Sequence, residues 1–126
     1  MTARTVTTRE KVDALTLVLL ESPYAGDIER NVAYARAAMH DCFQKGEAPF
    51  ASHLLYTQEG VLRDDNPEER RLGIEAGLLW GAKAEKTVVY ADYGITPGMR
   101  DGIERAKTAG RPVEYRMFNP QGREGI

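Results

Sequence analysis

The stretch Leu15-Thr16-Leu17-Val18-Leu19-Leu20-Glu21-Ser22-Pro23-Tyr24-Ala25-Gly26-Asp27, "LTLVLLESPYAGD", decides the fold. Leu15 to Glu21 is a continuous apolar run of strand length, as expected for a strand buried on both faces. Pro23 and Gly26 shape a tight turn after it, and Asp27 stands where a helix N-cap belongs. The segment "IERNVAYARAAMHDCFQKG" then places Ile28, Val32, Ala35, Met39 and Cys42 at helical spacing and stops at Gly46.

The strand-then-helix pattern recurs along the chain. "APFASHLLY" reads as a short second strand ending near His53, and "TQEGVLRDD" as a polar connection. Asn66 as cap, Pro67 in first position and Glu69 in third give a capping-box-like start to a helix running through "EERRLGIEAGLLWGAKA". "TVVYAD" is the third strand. In "GITPGMRDGIERA", Thr96 is the cap and Pro97 suits the first turn of the next helix, and "RPVEYRMF" supplies a fourth strand. The alternation predicts the α/β class: a single three-layer domain over residues 15–126 with a mainly parallel, flavodoxin- or Rossmann-like sheet, preceded by a loosely held arm at 1–14.

At 126 residues, the chain is large enough for one core without metal or disulfide support. With 42% hydrophobic and 29% charged residues and a net charge of -2, it reads as an ordinary globular protein with no electrostatic case for binding a nucleic-acid polymer. The single Cys42 forbids an internal disulfide and fits a reducing compartment. No apolar run approaches the roughly 20 residues of a membrane span, and the polar opening "MTARTVTTREKVDA" does not resemble a signal peptide. A cytoplasmic protein without a membrane partner is expected.

In a parallel sheet, ligands bind beyond the carboxyl ends of the strands, where strand order reverses. That rule selects "SPYAGD", the end of "ASHLLY" and "DYGITPG". The candidate ligand-binding residues are Ser22, Tyr24, Ala25 and Gly26 in the first loop, Asn31 one helical turn on, and His53. Gly98 belongs with them, because its bare backbone suits an anion at a helix N-terminus. Tyr24, Tyr90 and Met99 offer apolar surface, Tyr24 as a stacking platform for a base. Arg70 or Arg71 either projects toward a phosphate or a neighbouring subunit, or is part of a solvated helix start. Arg116 either reaches a ligand or pairs with an acidic residue. His40 is placed toward solvent and Cys42 as a small apolar residue. No nucleophile pair, no metal-ligand spacing and no cofactor motif is found. Trp80, with Leu78 and Leu79, makes its helix apolar on more than one side, which points to an oligomer contact.

The order of "SPYAGDIERNVAYAR", a short strand and "GITPGMRDGIERAKTAGRPVEY" resembles the nucleoside 2-deoxyribosyltransferase-like superfamily. Its enzymes carry a nucleophilic glutamate four residues after the glycine of a Ser-Gly-Thr-x-x-Glu-type motif. Counted from Gly98, that position is Gly102, so the carboxylate is missing. Glu104 lies two residues on from Gly102, about 200° around the helix, and cannot replace it. The strings "ASHLLYTQ", "PEERRLGIEAGLLW" and "GRPVEYR" resemble more closely the phage Thoeris anti-defence 1 proteins, small members of the same fold. That resemblance implies a non-enzymatic sponge acting in the bacterial host cell. It would sequester glycocyclic ADP-ribose signals intact, with cyclic trinucleotides as a second ligand class and a homo-oligomer, a hexamer in some members, as the assembly. The alternative is a nucleoside or nucleotide N-glycosidase or deoxyribosyltransferase-like enzyme using another carboxylate, such as Asp27 or Asp92.

Overall fold

The apolar run forms β1, Thr16–Glu21, and the computed structural model, which describes residues 5–119, places it inside a sheet rather than at an edge. The other strands are β2, Glu47–Phe50, β3, Lys86–Tyr90, and β4, Val113–Arg116. Their order is β2-β1-β3-β4, and all three pairings are parallel. The helices are α1, Thr8–Asp13, α2, Ile28–Gln44, α3, Ser52–Leu55, α4, Pro67–Gly81, and α5, Pro97–Thr108. The chain leaves β1 toward β2 on one side and leaves β3 toward β4 on the other, so the strand order reverses between β1 and β3.

Both faces of β1 are covered, which is why its sequence does not alternate. Val18 and Leu20 pack with Tyr34, Ala38 and Cys42 of α2 and with Val88 and Tyr90 of β3. Leu19 and Glu21 face the other way, where Gly81 of α4 and Gly102 of α5 come against them. Val89, Met99 and Ile103 form the apolar cluster between β3 and α5. Each such aliphatic side chain taken fully out of water contributes roughly 1.5–3 kcal/mol.

Helix α4 carries Gly73, Gly77 and Gly81 four residues apart, all buried. A glycine inside a helix costs about 1 kcal/mol relative to alanine, so a stripe of three needs a packing reason. A Cβ on Gly77 would lie 2.5 Å from the Ser52 Cβ, and one on Gly81 would lie 2.7 Å from Leu19 Cδ2. The stripe lets α4 lie close against α3 and β1, and it leaves Leu72, Leu79 and Trp80 on the exposed side.

Three local expectations need correction. The inward face of α2 consists of Asn31, Tyr34, Ala35, Ala38 and Cys42, while Ile28 is exposed. Polar residues win inward positions there because they are satisfied: the Tyr34 hydroxyl donates to Asp92 Oδ1 at 2.6 Å and accepts from the Asp92 amide at 2.8 Å. The second strand stops at Phe50, because the amides of Leu54 and Leu55 both turn back to the Ala51 carbonyl and make a single helical turn. At the start of α4, Asn66 accepts from the amides of Glu68 and Glu69, but the Glu69 carboxylate takes the Arg63 amide instead of closing a capping box. In the arm, α1 is capped by a reciprocal Thr7–Glu10 box and buries no residue. Residues 1–4 of that arm and 120–126 of the domain lie outside the described residues.

Arg116, one of the candidate ligand residues, is committed to the fold. Its guanidinium grips Glu47 in a fork, Nη2 to Oε2 at 2.6 Å and Nη1 to Oε1 at 2.8 Å, and Lys86 Nζ adds a second cation at 3.0 Å. The Arg116 and Glu47 side chains are only 8% and 5% exposed. Burial alone would raise the Glu47 carboxyl, but the hydrogen bonds and charges of Arg116 and Lys86 hold it down to about 2. The stabilisation from this pairing is therefore complete above the ordinary glutamate value of 4.5 and is lost as pH falls from there through about 2. Glu47→Gln, which removes the fork and leaves the Arg116 guanidinium to Glu114, should lower stability at neutral pH by about 1.5–3 kcal/mol and flatten the acid limb, as read by urea denaturation between pH 2 and 7.

Candidate functional site

Where the strand order reverses, a cavity of about 410 Å³ opens beyond the carboxyl end of β1. Its walls come from four places: the end of β1 with the loop after it, α3 with the residues just past it, α4 with the segment before it, and the first turns of α5. The volume is in the range of small-molecule sites.

The loop after β1 is held from behind. Asn31 is buried on α2, and its amide donates to the Tyr24 carbonyl at 2.9 Å and the Ala25 carbonyl at 3.1 Å. Gly26 takes a φ of 100°, which favours glycine, and Asp27 caps α2 by accepting from the Arg30 amide. Tyr24 and Ala25 are thereby fixed on the cavity wall, while Asn31 and Gly26 shape the loop without lining the cavity.

Ser22 and His53 meet across the cavity floor, Oγ to Nε2 at 2.6 Å. His53 does not end a strand but sits on α3, whose single turn carries it toward β1. Burial pushes its imidazole down to about 4, so it is neutral at physiological pH. Reading the sequence missed this Ser–His pair, because 31 residues separate the partners. Among the described residues no carboxylate hydrogen-bonds the other ring nitrogen, so the pair lacks the orienting acid of a catalytic triad.

At α5, Thr96 Oγ1 accepts from the Met99 amide at 3.2 Å and Pro97 has no amide to offer. The Gly98 amide has no acceptor among the described residues, and Arg70 Nη2 would lie 3.9 Å from a Cβ on Gly98. A helix N-terminus beside a guanidinium is a favourable place for an anion. Arg70 is held by Asp64 at 3.4 Å. Arg71 is one residue, about 100°, further round α4 and does not line the cavity.

The main departure from expectation concerns Gly102. It lines the cavity, and a Cβ there would overlap Glu21 Oε2 and lie 2.6 Å from Glu21 Cδ. Position 102 offers no carboxylate, and the β1 residue Glu21 packs its carboxyl onto the space where a side chain there would begin. Glu21 keeps partial solvent contact on the cavity it lines. Burial, reinforced by the Asp101 charge and only partly offset by Arg111, pushes its carboxyl up to about 8.

Of the candidates, Ser22, Tyr24, Ala25, His53, Gly98 and Met99 line the cavity. Tyr90 does not: it is fully buried on the α2 side of the sheet, where its hydroxyl donates to Asp41 Oδ2 at 2.7 Å. Arg116 is spent on Glu47. Asp27 is a helix cap, and Asp92 accepts from Tyr34 and from the amides of Phe118 and Asn119, so neither alternative carboxylate reaches the cavity. The residues missed were Glu21, Tyr56, Arg63, Asp64, Glu69 and Asp101. For Glu21 a signal existed: a charged residue closing an otherwise apolar strand, directly before the site loop.

The chain belongs to the family described as Domain of unknown function (DUF7768), whose profile matches residues 16–116. The DUF7768 fold is similar to a solved structure of a 2-deoxyribosyltransferase from the psychrotolerant bacterium Bacillus psychrosaccharolyticus. That likeness has a TM-score of 0.56 at 18% identity and covers 81% of this chain and 72% of the other. The chain therefore shares its fold with that 2-deoxyribosyltransferase. No functionally curated protein matches the sequence. Among the described residues, no helix is long and apolar enough to cross a membrane, and no group of three His, Cys, Asp or Glu side chains could hold a metal ion.

Neutral His53 gives this DUF7768 domain a pH signature. Between the ordinary histidine value of 6.5 and about 4, the unfolded chain binds a proton that the folded chain does not, so stability should fall as pH drops through that window. Glu21, raised to about 8, contributes with the opposite sign down to 4.5, so the His53 share is read as a difference. Relative to His53→Gln, the wild type should lose stability from pH 6.5 to 4 in urea denaturation, and NMR should place the His53 imidazole titration near the lower bound.

Proposed function

We propose that the cavity takes a nucleotide-class small molecule and keeps it intact, so that the protein sequesters a signal of the glycocyclic ADP-ribose type. The observation that carries this reading is the exchange at position 102. The enzyme pattern sends an ionised glutamate from α5, whereas here the space holds a carboxyl that its surroundings keep neutral at physiological pH. A neutral carboxyl is a poor nucleophile toward an anomeric carbon.

The rest of the cavity supports a nucleotide ligand. Tyr24 and Tyr56 offer ring faces to a base, and the α5 N-terminus with Arg70 offers a pyrophosphate both amide and guanidinium donors. The sequence resemblance to phage anti-defence proteins supports the signal assignment and, with it, a role in a bacterial host. The exposed Leu79 and Trp80 on α4, at 76% and 63%, support a homo-oligomer built through that helix. Cyclic trinucleotides are the next ligand class to try. A second reading, an N-glycosidase, is favoured by one observation: Glu21 is an acid standing where a leaving base needs a proton.

Calorimetric titration with glycocyclic ADP-ribose, followed by denaturation and chromatography of the released ligand, separates the two. Sequestration predicts tight binding and intact ligand. It also predicts that Arg70→Ala, which removes charge-assisted hydrogen bonds of about 1.5–3 kcal/mol, weakens binding roughly 10- to 100-fold. Recovery of free base would establish the glycosidase. No binding of either glycocyclic ADP-ribose or a cyclic trinucleotide would overturn the proposal.

A further inference from the structure

The carboxyl groups around the cavity are not equivalent. Asp64 pairs with Arg70, Glu69 accepts from the Arg63 amide, and Asp101 pairs with Arg105 at 3.3 Å. Glu21 has no hydrogen-bond partner among the described residues, although it is packed against Gly102 and lines the cavity. The protein covers most of this carboxyl but leaves it solvent contact on the cavity it lines, so it is open there to a partner. The one side from which a partner can arrive is the cavity.

We propose that Glu21 binds the ligand directly as a neutral acid, donating its proton to an acceptor atom of the nucleotide, so that affinity depends on ambient pH. This rests on the nucleotide reading of the cavity. The charged and titratable groups facing Glu21 are consistent with a neutral donor. Asp101 on α5 disfavours its ionisation, and Arg111 after α5, tied to Thr87 Oγ1 at 3.0 Å, opposes that only in part. His53 on α3 is uncharged above pH of about 4 and supplies no cation. From α4 and the segment before it come Asp64, Glu69, Arg63 and Arg70, with Asp64 and Glu69 already engaged as described. An ionised Glu21 would lose its donor and add a negative charge beside an anionic ligand, and both effects oppose binding. Glu21 therefore favours a ligand that presents an acceptor at that point.

The test is the affinity of the full chain for glycocyclic ADP-ribose at pH 6, 7, 8, 9 and 10, for wild type and Glu21→Gln. The glutamine fits the same volume above Gly102 and donates at every pH. Wild-type affinity should be level at low pH and then fall about tenfold per pH unit above the Glu21 titration. Glu21→Gln should bind with a pH-independent affinity. Carboxyl-carbon NMR of the free protein should show a glutamate titrating near 8 that is absent from Glu21→Gln and moves upward on adding ligand. Wild-type affinity that stays flat to pH 10, or a pH dependence that survives in Glu21→Gln, overturns the assignment while leaving sequestration standing. Absence of binding at every pH in both proteins removes the nucleotide reading and this assignment together.

Discussion

Two helices lie against one face of β1, and each does so through a glycine: Gly81 of α4 over Leu19 and Gly102 of α5 over Glu21. This close approach is the constraint on which the site depends. Side chains at those positions would push the ends of the Leu19 and Glu21 side chains aside, and the wall formed by Glu21, Gly102 and the α5 N-terminus would lose its present packing. The opposite face of β1 is packed conventionally, by Val18 and Leu20 against α2, and it fixes the strand so that the Leu19–Glu21 face is presented in one register. A strand buried on both sides thus supplies core on one face and a cavity wall on the other.

Glu21 and Glu47 show what the same side chain becomes in two surroundings. Glu47 begins β2 and meets Arg116 and Lys86, which outweigh the cost of burial and hold it ionised far below the usual range. Glu21 ends β1 and meets Asp101 at close quarters and Arg111 only weakly, so burial prevails and the carboxyl stays neutral. A buried acid supplied with two cations is a tie between strands. One left without a partner at a cavity wall has its donor and acceptor capacity free for a ligand. Environments that push two like groups apart mark their separate tasks.

Much of the fold was legible because its signals are local. The continuous apolar run of β1, the caps Asp27, Asn66 and Thr96, and the position of Pro67 and Pro97 are each set by a few neighbouring residues. The cavity was partly legible by the same route, since the switch-point rule needs only strand order, and Ser22, Tyr24, His53 and Gly98 follow from it. The failures are non-local. Whether Tyr90 and Arg116 face the site or the core depends on which helix covers which face of the sheet, and Asp41 and Glu47 claim them from elsewhere in the chain. The choice between Arg70 and Arg71 is a matter of helix rotation against a partner the sequence does not place. The meeting of Glu21 with Gly102, 81 positions along the chain, is invisible until β1 and α5 are in contact.

That meeting also constrains which element can supply a carboxyl to the cavity. Because Glu21 Oε2 overlaps any Cβ at position 102, the carboxyl can come from β1 or from α5 but not from both without rearrangement. A glutamate placed on α5 alone would crowd two acids together, so that the Glu21 carboxyl would have to swing aside and one of the two would stay protonated. Emptying β1 alone would leave a void beside a glycine and no acid at all. The two positions must therefore change together for the wall to stay packed. The side that supplies the carboxyl also sets its character: the strand end beside the charge of Asp101 favours the neutral form.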